Sequence, residues 1–294
     1  MIYSASRLKT FKMCPMKFRL HYVDGLTRDR DTDALRMGGV WHKAREVLNK
    51  GGSQDEAIST ISNAYAVTPE WIDAEAWQVE ACKLRCGIAL ISELVPSRKV
   101  VASEQVVQGV VGGVDFMGII DCIVEMDGKL YIEEYKTTSS DVSPGSEYWD
   151  ILTMDTQCVG YVTLLKAMGY DIHGIIYDVW RKPALRLKKT ETVDEYNERI
   201  YAAMWEENEK YYARKPITIL RSDEERFAET LGKIDLLRMS MDCNNLWYHN
   251  EMACKTFGRC EYLPICSNCL EGKASRQEQI DGFIYKETDD DVNS

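Results

Sequence analysis

The chain has 294 residues, 45% of them hydrophobic, and a net charge of -11. That content suits one large domain or two small ones with an ample core. No apolar run reaches the roughly 18 residues of a membrane span, and the start of the chain, with Ser4, Arg7, Lys9 and Lys12, lacks the apolar stretch of a signal peptide. The acidity argues against a protein that coats nucleic acid by bulk attraction, yet it leaves room for an enzyme that grips DNA through a metal and a local basic lining. The expectation is a soluble cytoplasmic protein with no membrane partner, whose ten cysteines serve as thiols or metal ligands and not as disulfides.

Residues 4–23 carry apolar side chains at Leu8, Phe11, Phe18, Leu20 and Tyr22, interrupted by Cys14-Pro15. Proline fits a first helical turn but not a helix interior, so two short helices should meet near Cys14. After a charged loop over 28–33, Gly38-Gly39 precedes a helix expected over 40–48, where His42 and Glu46 share a face by four-residue spacing. A lone helical histidine is more often structural than a ligand. Helices are expected over 54–67 and 69–94, the second with Trp71, Trp77, Val79, Leu84 and Ile88 among polar positions. Cys82 and Cys86 share a face there and read as small buried hydrophobes.

From Lys99 the period changes to that of strands: 100–111, a Gly112-Gly113 turn, 114–126, then 130–137, an antiparallel meander. Asp127-Gly128 is a strong two-residue hairpin signal, because glycine tolerates the positive φ such a turn demands. Counting outward from that loop sets Asp121 opposite Glu134, with Lys136 two residues further along the same face. Opposed like charges destabilise a sheet unless a cation or a raised pKa compensates. Oxygen donors beside a lysine suit a hard ion such as Mg or Mn, which in phosphoryl chemistry polarises phosphate and acidifies water. The competing reading is a solvent-facing hairpin, and a longer turn would send Asp121 to the other face.

A Ser/Pro/Gly loop over 139–147 leads to a helix expected over 148–168, on which Gln157 and Tyr161 are neighbours. A strand over 172–180, a basic segment from Arg181 to Lys189, and helices over 192–212 and 223–241 complete the expected α/β fold, without repeats or linkers. One domain should span 1–276, and 277–294, with Glu287, Asp289, Asp290 and Asp291, reads as an acidic disordered tail. Cys254, Cys260, Cys266 and Cys269 fall within sixteen residues and point to a metal site. Only Cys266 and Cys269 show the short gap common in zinc sites, so iron-sulfur ligation by three of them and a distant cysteine competes with zinc.

These pieces, in this order, resemble the RecB-type nuclease branch of the PD-(D/E)xK superfamily, especially its iron-sulfur members: the AddB nuclease domain, CRISPR-associated iron-sulfur exonucleases and related phage exonucleases. The matching residues are Ser4 to Leu8 with Cys14-Pro15, Gly39 to His42, Gly118 to Asp121, Glu134 to Lys136, Gln157 with Tyr161, and the C-terminal cysteines. The resemblance implies a restriction-endonuclease-like mixed sheet flanked by helices, with the C-terminal segment pinning the N-terminal helices through a cluster. It implies His42, Asp121, Glu134 and the Tyr135 carbonyl as metal ligands, and Lys136 as the group that orients the attacking water and offsets transition-state charge. Gln157 and Tyr161 would position the lysine or the scissile strand. Cys14, Cys254, Cys260 and Cys266 would hold a 4Fe-4S cluster, leaving Cys269 spare; five residues separate Cys254 from Cys260 where the family more often has two. The implied activity is a Mg- or Mn-dependent DNA exonuclease acting on single-stranded or duplex ends in recombination or repair, with a helicase, recombinase or CRISPR protein as partner. An iron-sulfur or zinc DNA-binding module without catalysis is the alternative.

Overall fold

The structure, a computed structural model, describes residues 1–30, 32–256 and 258–287. The Ser4 side chain accepts the Arg7 N–H and starts helix α1 (Ala5–Met13). Extended backbone at Cys14 ends it, and Pro15 opens α2 (Pro15–Phe18), which runs into a wide helical turn over Arg19–Val23. After β1 (Leu26–Arg28), Thr32 caps α3 (Asp33–Asn49). This helix starts earlier than expected, because Gly38 and Gly39 lie within it and do not interrupt it; each costs about 1 kcal/mol against alanine, which the cap and the packed C-terminal half offset. Helices α4 (Gln54–Ala64) and α5 (Ala74–Leu94) begin at a Ser53/Glu56 capping box and an Asp73 cap.

Strands β2 (Lys99–Val111), β3 (Val114–Met126) and β4 (Lys129–Thr138) form the meander. Asp127 and Gly128 both take positive φ, 51° and 72°, which fits a tight hairpin turn, and the register runs from Met126 opposite Lys129 to Cys122 opposite Glu133. The helix expected over 148–168 is two: α6 (Glu147–Thr153) and α7 (Thr156–Ala167). The break falls at Asp155, whose carboxylate accepts the Gln157 N–H and caps α7. Strand β5 (Ile172–Arg181) then lies parallel to β4. The helix expected over 192–212 ends early, as α8 (Val193–Glu206) and a single turn α9 (Asn208–Tyr211). Its last residue instead opens β6 (Tyr212–Ile217), antiparallel to β5 at the sheet edge, where Pro216 is tolerated. The chain closes with α10 (Arg221–Asn244), α11 (Leu263–Ser267), α12 (Glu271–Ser275) and β7 (Phe283–Tyr285).

The result is a mixed five-stranded sheet in the order β2-β3-β4-β5-β6 with helices on both faces. Alternation along each strand sends side chains to two cores. On one face Phe116, Ile120, Ile132 and Tyr177 pack against Leu8 and Phe11 of α1, Leu164 of α7 and Phe227 of α10. On the other, Cys122, Tyr135 and Trp180 pack against Trp41 of α3, Cys82 and Cys86 of α5 and Tyr196 of α8. Trp180 stacks on Trp41 with centroids 4.4 Å apart.

A third buried cluster joins the two ends of the chain, with Met16, Leu20 and Leu26 against Tyr262, Ile265, Ala274, Ile280 and Phe283. Leu26 pairs with Tyr285 across β1 and β7, and Tyr262 Oη donates to the Leu26 carbonyl at 2.6 Å. The C-terminal segment is thus pinned on the N-terminal helices by its own packing. Structure therefore extends into the tail expected from residue 277, because Ile280 and Phe283 are apolar enough to dock; Asp289, Asp290 and Asp291 lie outside the described residues. Among the described residues no helix is long and apolar enough to cross a membrane.

Candidate active site

Helix α3, strands β3 and β4, and helix α7 bring together the residues singled out in the sequence. Asp121, on β3 one step beyond the last paired residue of the hairpin, is almost fully buried. Its Oδ2 accepts the Tyr135 N–H at 2.7 Å, and its Oδ1 lies 3.0 Å from His42 Nδ1. Glu134 on β4 is 1% exposed, and its Oε1 accepts Lys136 Nζ at 2.8 Å and Gln157 Nε2 at 2.7 Å. Its Oε2 is buried without a hydrogen-bond partner. Gln157 also accepts Lys136 Nζ at 3.0 Å through Oε1 and donates to Tyr161 Oη at 3.2 Å, so one amide locks the lysine, the glutamate and the tyrosine together. The Tyr135 side chain points to the opposite face, where its hydroxyl meets Asn49 and Glu133, so its offering to the site is backbone.

Burial dominates the electrostatics. It pushes the Glu134 carboxyl up to about 7; Lys136 opposes the rise and Asp121 adds to it. Burial also works against the Lys136 ammonium, but Glu134, then Cys158 and Asp155, overcome it and keep the lysine protonated. For His42 burial again favours the neutral ring, while the hydrogen bond and charge of Asp121 prevail and raise its pKa.

The sequence reading missed a carboxylate beside Asp121. Glu104 on β2 brings a carboxylate oxygen within 4.8 Å of ligand atoms of both His42 and Asp121. It lies opposite Asp121, between the pairs Ser103/Cys122 and Gln105/Ile120, and holds a left-handed φ of 51° that a non-glycine residue adopts at a cost. Burial, then Asp121, raises its pKa. Counting outward from Gly112-Gly113, as was done from Asp127-Gly128, would have found it. The cluster of His42, Glu104 and Asp121 suits a divalent ion, and the nearby orphaned Glu134 Oε2 is the atom that most needs one.

At the joined ends of the chain, Cys14, Cys254 and Cys260 line one cavity of about 270 Å³. The Asn250 N–H donates to Cys14 Sγ at 3.4 Å, and its carbonyl accepts from Cys254 Sγ. Cys266 lies close enough to feel all three: burial pushes its thiol up to about 12, with Glu271, Cys14, Cys260 and Cys254 adding to the rise. Thiols are the donors of iron-sulfur and zinc sites, and among the described residues no three of these four sulfurs lie within 4.8 Å of one another, a spacing wider than a single zinc ion takes. Cys269 is exposed. His249 and Glu271, hydrogen-bonded at 2.9 Å and adjacent to the Cys266 sulfur, were not singled out in the sequence.

The family model described as PD-(D/E)XK nuclease superfamily matches residues 2–267. No curated protein matches the chain. Among solved structures, a candidate exonuclease from Eubacterium rectale is similar at 12% identity over 100% of this chain and 92% of its own, with a TM-score of 0.49. The SSO0001 protein is similar at 16% identity over 76% of this chain and 84% of its own, with a TM-score of 0.31.

Proposed function

Because this chain belongs to the PD-(D/E)XK nuclease superfamily, we propose that it is a Mg- or Mn-dependent deoxyribonuclease that hydrolyses phosphodiester bonds at DNA ends. The observation that carries the reading is the buried, unpartnered Oε2 of Glu134, beside Asp121 and two residues before Lys136. A desolvated carboxylate pair of this kind calls for a cation. Asp121, Glu134, His42 and the Tyr135 carbonyl would hold it, with Glu104 as a further donor. When bound, such an ion polarises the phosphate and lowers the pKa of a water. Lys136, held protonated between Glu134 and Gln157, is placed to orient that water and to stabilise charge developing on the phosphate oxygens. Gln157 and Tyr161 hold the lysine in position. The full acidic and lysine set favours catalysis over a binding module that has lost it.

Cys14, Cys254, Cys260 and Cys266 are the proposed ligands of a 4Fe-4S cluster that reinforces the packing between the ends of the chain. A role in end processing during recombination or repair follows from the proposed activity. End-labelled linear DNA and circular single-stranded DNA, incubated with Mg or Mn, test the reading. Loss of label from the linear molecules, with circles spared and EDTA blocking the digestion, is expected; activity undiminished by EDTA would sink the mechanism.

A further inference from the structure

The catalytic lysine shares a carboxylate with a second lysine. Asp155, the cap of α7, lies 3.6 Å from Lys136 Nζ through Oδ2 and 3.1 Å from Lys9 Nζ on α1 through Oδ1. One turn further along α1 stands Lys12, and like charges at this spacing repel by a few tenths of a kcal/mol. Lys9 has Asp155 as its counter-charge. Among the described residues, Lys12 has no carboxylate and no hydrogen-bond acceptor of its own. Its side chain is exposed on the helix surface, and partial desolvation, then the Lys9 charge, lowers its pKa.

Lys12 forms one wall of a cleft of about 250 Å³ whose other walls include Thr153, Met154 and Thr156 at the α6 to α7 junction, and Arg226 and Thr230 on α10. Arg226 is largely exposed and pairs with Asp223. Hydroxyl donors, the Arg226–Asp223 ion pair and an ammonium without a counter-charge of its own thus face one space. The α1 helix that bounds it reaches the catalytic centre through the bridge from Lys9 to Asp155.

We propose that this cleft is a subsite for a backbone phosphate of the DNA strand being cut, with Lys12 as its principal cation and Lys9 joining the cleft to the catalytic centre. The identity of the ligand as DNA rests on the nuclease reading above. The subsite explains how an acidic protein can hold a strand locally: it offers one or two cations beside the scissile position in place of a broad basic surface.

The test is fluorescence anisotropy of a labelled single-stranded oligonucleotide, titrated in EDTA over a salt series with wild-type protein, Lys12→Ala, Lys12→Arg and, as a control on the far part of α10, Lys233→Ala. Each phosphate contact to a single strand contributes roughly 0.7 to the slope of log affinity against log salt. Lys12→Ala should bind several-fold more weakly at low salt and lose about 0.7 of that slope. Lys12→Arg should keep the slope, and Lys233→Ala should match wild type. In Mg, Lys12→Ala should raise KM with kcat unchanged. A Lys12→Ala slope equal to that of wild type overturns the subsite even if the protein cuts DNA. Absence of cleavage by wild type would refute the nuclease reading alone, because the EDTA titrations decide the subsite without it. Wild-type binding that does not respond to salt also overturns the subsite.

Discussion

Gly118 couples the packing of the sheet to Lys136, and Gly118→Ala is the perturbation that exposes the link. A Cβ at this position would lie 2.0 Å from Tyr161 Cε1 and 2.8 Å from Cζ. The ring is 5% exposed and packed in the core, so it can retreat only by displacing neighbours. Overpacking of this kind costs about 1–3 kcal/mol. The Tyr161 hydroxyl also accepts from Gln157, which in turn holds Lys136 and Glu134. A misplacement of about 1 Å there can cost roughly a hundredfold in rate. Gly118→Ala should therefore lose about 2 kcal/mol in urea denaturation and most of its single-turnover cleavage rate. Tyr161→Leu removes the two closest ring atoms, so the double variant should be more stable than the sum of the single effects by about 1–2 kcal/mol. Stability effects that add to within about 0.5 kcal/mol would refute the proposed clash.

Lys136→Ala should bind a DNA end nearly normally and cut it slowly, because its charge acts mainly on the transition state; an equal fall in anisotropy-measured affinity and single-turnover rate would reduce the lysine to a phosphate contact. Protein purified without oxygen should be brown, and Cys14→Ser should lose iron and stability, in principle by up to about 5 kcal/mol for so long a loop, while Cys269→Ser should lose neither. Metal analysis returning zinc without iron, with Cys14→Ser unaffected, would replace the cluster by a local zinc site. The pKa of Glu134, raised from 4.5 to about 7, and that of His42, also raised, give the same sign. Each group's contribution to metal-free stability is complete below its unfolded pKa and is lost as pH rises through its folded one. Metal-free protein should thus melt at falling temperature between pH 5 and 8, with Mg or Mn flattening the decline and Glu134→Gln removing much of it. A metal-free profile identical in Glu134→Gln would contradict this.

Much of the site was legible because two short signals fix geometry. Asp127-Gly128 sets a register that brings Asp121 beside Glu134, and Cys14-Pro15 marks a helix break that structure places against the C-terminal cysteines. Glu104 escaped because only one of the two hairpins was counted, and because a strand residue with positive φ leaves no trace in hydrophobic periodicity. Strand β6 escaped because Arg214, Lys215 and Pro216 look unlike a strand, although an edge position accepts them. Charge was the least readable feature. Arg45 and Asp178 would each be assigned to the surface, yet they are 1% and 0% exposed and form a buried pair beneath Tyr135, whose ring lies 3.9 Å from the Arg45 guanidinium. Their pairing joins α3 to β5 across 133 positions of sequence, a long-range contact that no local pattern encodes.

The central claim is that the Asp121 and Glu134 carboxylates make this fold a metal-dependent nuclease. Single-turnover digestion of an end-labelled oligonucleotide in Mn, by wild type and by Asp121→Ala of equal thermal stability, tests it most directly. Rapid release of label by wild type and a loss of at least several kcal/mol of transition-state stabilisation in the variant are predicted. Equal cleavage by the two proteins would contradict it.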